Sequence, residues 1–320
     1  MSDSTRQLII DTATKIFADT CDKALLDAAE AGQFAQTLWD TVVANGFHQL
    51  GSADSGTEAA DLFAFLQVCG RFAVPLPIAE TLLANRWCGA SNVCTGIGTR
   101  ADDPELVNEV VWGRAVQRVV AVQPGSNSVL VGERGDVLAQ RSNLAGEAED
   151  DVQLVAATDV QVSEDPFGQM ALARVNLMAG SLETQLDLGI QFATERKQFG
   201  RSISKFQAIQ HSLAIVAAEV AAAKRAADSA VDALDDGRFL LEVAAAKARV
   251  GEAVGVVAEQ VHQVHGAMGF THEHRLHHFS RRTWAWREQW GNEFYWQAEL
   301  GRHIAANGAD QAWGFIATQQ

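Results

Sequence analysis

The chain has 320 residues, 48% of them apolar and 20% charged, which is enough apolar material for a core shared by two or three sub-domains and rules out disorder of the whole chain. A formal net charge of −15 excludes nucleic acid and anionic membranes as general partners. No apolar run approaches the roughly eighteen residues that a membrane span needs.

The first segment, MSDSTRQLIIDTATKIF, has no basic stretch ahead of an apolar block and reads as an amphipathic helix rather than a signal peptide. Ile9, Ala13, Ile16 and Phe17 keep helical spacing, as do Leu25, Ala28 and Ala29. LWDTVVANGF ends a helix at Asn45-Gly46, and VCGRFAVPLPIAETLLANRW is two helices broken at Pro75 and Pro77. NVCTGIGTR reads as a plain glycine-rich loop. From about residue 112 to 162 the texture turns Val-rich with Gly and Asn turns, predicting a small sheet of four or five strands. Long helices follow: Ala171 to Gln198, Lys205 to Asp235 with Ile209, Leu213, Val216, Val220, Ala227, Val231 and Leu234 on one face, and Phe239 to His265. Short loops between long helices predict an antiparallel bundle. The expected fold is therefore mainly α with a small β domain: an N-terminal helical domain over residues 1–110, a reduced β domain over 111–165, and a C-terminal helical bundle over 166–320.

The chemistry concentrates at helix ends. In TERKQFGRSISKFQAIQHSLA, Arg196, Lys197, Arg201 and Lys205 fall within ten residues of an otherwise acidic chain, where one helix ends and the next begins. Free N–H groups at a helix start suit a phosphate, although the same cations also complement a helix C-terminus. QVHGAMGFT places a glycine turn at the end of the third long helix, where backbone N–H groups can approach a phosphate closely. The cysteines Cys21, Cys69, Cys88 and Cys94 lack CxxC spacing and fit reduced thiols in a cytoplasmic protein. His262, His265, His272, His274, His277 and His278 raise the question of a metal. His274 and His278 stand at i, i+4, but no third ligand has a familiar spacing, so no metal is expected.

ERKQFG with FQAIQHSLA resembles the signature of the acyl-CoA dehydrogenase family, and QVHGAMGFT resembles its second signature; LWDTVVANGF and GRFAVPLPIAETLLA are similar to its N-terminal segments. The resemblance implies the acyl-CoA dehydrogenase fold and an FAD cofactor. It implies FAD contacts from Arg196, Phe199, Gln207, Gln263, Gly266 and Ala267, with Ala267 standing where the family has a second glycine. The departures are as informative. The family's catalytic glutamate, just before a glycine near the C-terminus, falls here at Trp290-Gly291, and the alternative position near the start of the first bundle helix falls in MALARV, at Met170, Ala173 and Arg174. None of these side chains can accept the substrate proton. A flavin-covering segment between Ser91 and Leu130 is missing as well.

Retention of the nucleotide half-site without the base resembles the family branch in which two unlike chains form an α2β2 heterotetramer in steroid-degrading bacteria, and GFTHEHRLHHFSRR is similar to a run common in that branch. The resemblance implies a longer acyl-CoA dehydrogenase partner that supplies the base, an acyl-CoA substrate with a bulky or steroid side chain, and electron-transferring flavoprotein as electron acceptor. Two other readings stay open: a scaffold subunit without flavin, and a homomeric enzyme using Glu288 as base, with Glu252, Glu273 and Glu293 as weaker carboxylates.

Overall fold

A computed structural model describes residues 2–308 and 310; the expected end of the helical bundle at residue 320 lies outside the described residues. Five helices open the chain: α1 (Ser2–Thr20), α2 (Lys23–Glu30), α3 (Gln36–Ala44), α4 (Ala59–Arg71) and α5 (Ile78–Cys88). The i, i+4 row Ile9, Ala13, Phe17 is buried as its spacing requires, and α1 packs on α4. Asp22 caps α2 by accepting from the Leu25 N–H at 2.8 Å.

Strands β1 (Thr95–Arg100), β2 (Leu106–Val111), β3 (Arg118–Val122), β4 (Ser128–Ala139) and β5 (Glu149–Gln161) follow. The five strands form a closed barrel in the order β1-β2-β5-β4-β3, because β1 closes it by pairing in parallel with β3, Thr95 opposite Arg118 through Thr99 opposite Val122. The β region therefore begins ahead of the expected boundary at residue 111, and TGIGTR is a buried strand rather than a loop. Its glycines are packing residues. A Cβ on Gly98 would lie 2.2 Å from the Asn108 carbonyl oxygen, so only a bare backbone passes there.

The C-terminal region holds α6 (Pro166–Glu195), α7 (Gln207–Asp232), α8 (Phe239–His265), α9 (Leu276–Glu288) and α10 (Glu293–Asn307). Asp165 and Pro166 start α6 five residues earlier than periodicity indicated, Asp165 accepting from the Gly168 N–H at 2.5 Å. α6 packs against α4, α7, α8 and α9 and is the central strut. It meets α4 backbone to backbone: a Cβ on Gly180 would lie 1.9 Å from the Gln67 carbonyl oxygen, and one on Gly70 would lie 2.0 Å from that of Leu177. Between α6 and α7 the chain forms a two-stranded hairpin, β6 (Lys197–Gln198) with β7 (Arg201–Ser202). Among the described residues, no helix is long and apolar enough to cross a membrane.

Candidate functional site

The hairpin turns on Phe199 and Gly200, with φ of +51° and +79°. Positive φ at both central residues is the geometry of a type I′ hairpin, in which Asn-Gly is usual and a bulky aromatic is strained. The Phe199 ring at the tip of this turn stands out in solvent, 90% exposed, edge-on to Phe206 at 6.1 Å. Arg196 ends α6, its backbone N–H bonded to the Phe192 carbonyl. Arg201 stacks over the Phe206 ring at 4.4 Å. Phe206 precedes α7 and gives it no side-chain cap, so the first N–H groups of α7 face outward from the positive end of the helix.

The C-terminal end of α8 meets this hairpin. Arg196, Phe199, Gln263, Gly266 and Ala267 line one cleft of about 720 Å³ with Phe192, Ala208 and Ile209, so both sequence signatures share a wall. Gln207 is the exception: it is exposed at the first position of α7 and is not among the lining residues. Gly266 ends α8 at φ +58°, ψ −142°, a conformation that suits glycine. Ala267 has no positive φ, which is why alanine is accommodated there.

The donor set of the cleft fits an anionic dinucleotide. It offers a guanidinium, an uncapped helix N-terminus and an amide, and no carboxylate stands among the lining residues. His265 lies in the same wall, stacked on Phe192 at 4.5 Å. Burial holds the His265 and His262 imidazoles below their ordinary range, so both are neutral near pH 7. His265 Nδ1 is 2.8 Å from the Val261 carbonyl and donates to it, which leaves a buried Nε2 acceptor without a protein partner. A second cleft, of about 1080 Å³, adjoins across Gln263 and is lined by His262, Phe270, His277, Arg281 and Trp284.

The residues at which the sequence resemblance puts the family's base, Met170, Ala173, Arg174 and Trp290, converge elsewhere. Phe167 of α6 meets Trp290 edge to face at 5.7 Å, and Arg174 Nε donates to Gln289 Oε1 at 2.6 Å. Met170 and Ala173 are fully buried, and Trp290 packs with Phe167, while Trp296 Nε1 donates to its carbonyl. Arg174 pairs with Glu80 of α5, both nearly without exposure, and Gln289 donates on to Glu149 Oε1 at 2.5 Å. The space beside this network is only about 20 Å³. Burial pushes the Glu149 carboxyl up to about 7. Lys247, fully buried, donates to the carbonyls of Arg287 and Gly291 at 2.7 Å each, and burial pushes its ammonium down to about 7.

Glu288 ends α9 on the outside, its side chain 60% exposed and accepting from Asn292. Glu293 is buried but paired with Arg287. The internal carboxylates, Glu80 and Glu149, were not distinguished by sequence reasoning. Glu80 lies in the ETL segment of a helix, and Glu149 lies in the acidic run EAEDD, where nothing marks one residue as buried. His274 precedes α9, so the i, i+4 spacing of His274 and His278 does not put them on one helix face.

Residues 161–292 match the C-terminal domain of acyl-CoA dehydrogenases, and both signature turns lie within that match. Its relatives include the acyl-CoA dehydrogenase IpdE2 of Mycobacterium tuberculosis, 27% identical over 307 residues that cover 87% of this chain and 90% of that protein. Among solved structures, the ChsE4–ChsE5 complex of Mycobacterium tuberculosis superposes with a TM-score of 0.83 at 17% identity, over 94% of this chain and 97% of that one. The Tcur3481–Tcur3483 steroid acyl-CoA dehydrogenase variant does so with a TM-score of 0.82 at 19% identity, over 97% and 100%. Both show the same fold. Members of the family are FAD-binding flavoproteins.

Proposed function

We propose that this chain is one subunit of a heteromeric, FAD-dependent acyl-CoA dehydrogenase, completing the flavin site while a longer acyl-CoA dehydrogenase subunit supplies the base. The observation that carries this reading is the contrast between its two centres. The helix-end cleft is open and lined by the exposed apolar groups Phe199 and Met268, with exposed Phe270 in the adjoining cleft, and these want a covering surface. The region where the family's base would stand is filled by the Arg174–Glu80–Gln289–Glu149 network and the Phe167–Trp290–Trp296 aromatics. The names of the ChsE4–ChsE5 and Tcur3481–Tcur3483 assemblies support a pairing of unlike chains, and the latter a steroid acyl group. An α2β2 assembly in the cytoplasm with electron-transferring flavoprotein as electron acceptor fits this reading.

When bound, the flavin supplies the acceptor for the hydride leaving the acyl β-carbon. Arg196 and the start of α7 bind and orient the diphosphate, Arg196 as a charge-assisted donor. Gln263 and the Gly266 turn hold the nucleotide end, and Phe199 excludes water from one side of it. Neutral His265 offers Nε2 as an acceptor to a ligand hydroxyl or amine.

Expression of the chain alone and with the longer subunit tests the reading. The pair is expected to purify yellow and active, with one FAD per two chains, and the lone chain colourless. A colourless complex would leave a scaffold. A lone chain that is yellow and active would sink the heteromeric reading, and loss of that activity in Glu149→Gln or Glu288→Gln would name its base.

A further inference from the structure

Outside the flavin cleft, two buried imidazoles are held in one tautomer and aimed at a carboxylate. His277 Nδ1 lies 2.8 Å from the His274 carbonyl oxygen and donates to it. His278 Nδ1 lies 2.6 Å from Glu30 Oε1 and donates to that carboxylate. With each Nδ1 committed as a donor, each Nε2 of the neutral ring carries a lone pair. Neither Nε2 has a hydrogen-bond partner, and both rings are buried, His278 completely. The His278 Nε2 stands 3.1 Å from Asp27 Oδ1, close but out of line for a hydrogen bond. One ligand atom from each of Asp27, His277 and His278 lies within 4.8 Å of the other two.

Three acceptors facing one another without a donor repel unless a proton on His278 or a metal ion sits among them. From these positions we infer that Asp27, His277 and His278 form a binding site for a divalent transition-metal ion, zinc or a close analogue, joining α2 to α9. The chemistry is that of zinc: two imidazole nitrogens, one carboxylate oxygen, and a fourth position left to water. Two metal bonds of about 2.0–2.1 Å at a tetrahedral angle separate their ligand atoms by about 3.4 Å, near the 3.1 Å between His278 and Asp27.

The surroundings match such a site. Glu30 receiving the His278 Nδ1–H makes a carboxylate–histidine pair of the kind that orients a ligating imidazole. Lys23 binds the other Asp27 oxygen at 2.6 Å and fixes its orientation. Asp27 is exposed and His277 borders the larger cleft, so an ion can enter from solvent. The nearby cations Lys23, Arg281 and Arg282 are balanced by Asp27, Glu30 and Glu147. The ion therefore meets little net field, and its affinity rests on the imidazoles and the Asp27 carboxylate.

The site is independent of the flavin reading and is tested without activity. The full chain, stripped with chelator, is titrated with Zn²⁺ by calorimetry and with Co²⁺ by its visible ligand-field bands. One ion per chain is expected, with a tetrahedral cobalt spectrum and a raised thermal midpoint. Asp27→Asn, an exposed and structurally mild change, is expected to weaken binding by about tenfold, and His277→Gln by about a hundredfold or more. His272→Gln is expected to leave binding unchanged. Absence of Zn²⁺ binding, or binding unaltered in both Asp27→Asn and His277→Gln, overturns the inference. So does a nuclear magnetic resonance spectrum showing His278 doubly protonated at pH 7 in the presence of Zn²⁺, since a proton would then occupy the place of the ion.

Discussion

Removing Glu80 isolates a buried charge, and the size of the effect follows from what surrounds it. Arg174 is 2% exposed and Glu80 3%, and the guanidinium has Gln289 as its other side-chain partner. In Glu80→Ala the charge stays, because arginine does not deprotonate in proteins. Truncation adds room to a neighbouring cavity of about 20 Å³, so one or two waters can follow and replace hydrogen bonds but not the counter-charge. Breaking a buried pair from one side costs about 3–5 kcal/mol. With water partly compensating, the expected loss is about 3 kcal/mol, a factor of roughly 150 in the folding equilibrium. Arg174→Met alone leaves Glu80 unpaired, but a carboxyl can take up a proton, so a smaller loss of about 2 kcal/mol is expected. The double variant is expected to lose less than the sum of the two. The assay is a double-mutant cycle from urea unfolding midpoints at constant m. A Glu80→Ala variant within 1 kcal/mol of the parent, or strict additivity in the cycle, would refute a charge-locked interior.

Four further outcomes are expected. Gly180→Ala should destabilise by about 3 kcal/mol or prevent folding, since its Cβ would meet the Gln67 carbonyl, as read from thermal melts and soluble yield. Phe199→Asn should stabilise the isolated chain by about 0.5–1 kcal/mol, because asparagine tolerates positive φ, while weakening assembly with the partner subunit; calorimetry and sedimentation report the two opposite signs. Glu149 is raised in the folded state to about 7 from an ordinary 4.5, so the folded chain binds more protons across that window and the contribution falls as pH rises from 4.5 to 7; Glu149→Gln should remove that decline in pH-dependent unfolding. Lys247 is lowered to about 7 from an ordinary 10.5, so its cost is complete below pH 7 and lifts as pH rises toward 10.5, and Lys247→Met should flatten that limb.

The elements that repeat a simple period were legible. Phe239–His265 carries one buried row from Val243 to Val264 and ends at a glycine, so its bounds followed from pattern and stop signal alone. β1 was not, because TGIGTR has the composition of a loop, and its glycines answer to neighbouring backbone that no local pattern reveals. Closure of the barrel depends on the parallel pairing of β1 with β3, a long-range contact invisible to periodicity. The turn at Phe199-Gly200 was legible from its glycine, but the two-stranded pairing around it was not, because a phenylalanine in the left-handed region is rare.

Within the candidate cleft, five of the six expected residues fall on one wall because the turns at two helix ends carry them, while Gln207 lies one helical position away from the opening. The buried charges were the least legible part. Arg174 and Lys247 lie in largely apolar stretches of α6 and α8 and Arg282 in the polar α9, and a charged residue on a helix ordinarily reads as the solvent face. Their partners come from other elements: Glu80 from α5, Glu147 from the loop before β5, and the carbonyls at the end of α9. The Asp27, His277 and His278 grouping joins α2 to α9 in the same way, far apart in the chain.

The most direct test is FAD retention by the complex of this chain with its longer partner, comparing wild type with Arg196→Gln. Loss of one charge-assisted contact to the diphosphate, worth about 1.5–3 kcal/mol, should weaken FAD binding by roughly ten- to a hundredfold, with the melting of this chain alone unchanged. FAD held equally well by the Arg196→Gln complex would contradict a cofactor site built on this helix end.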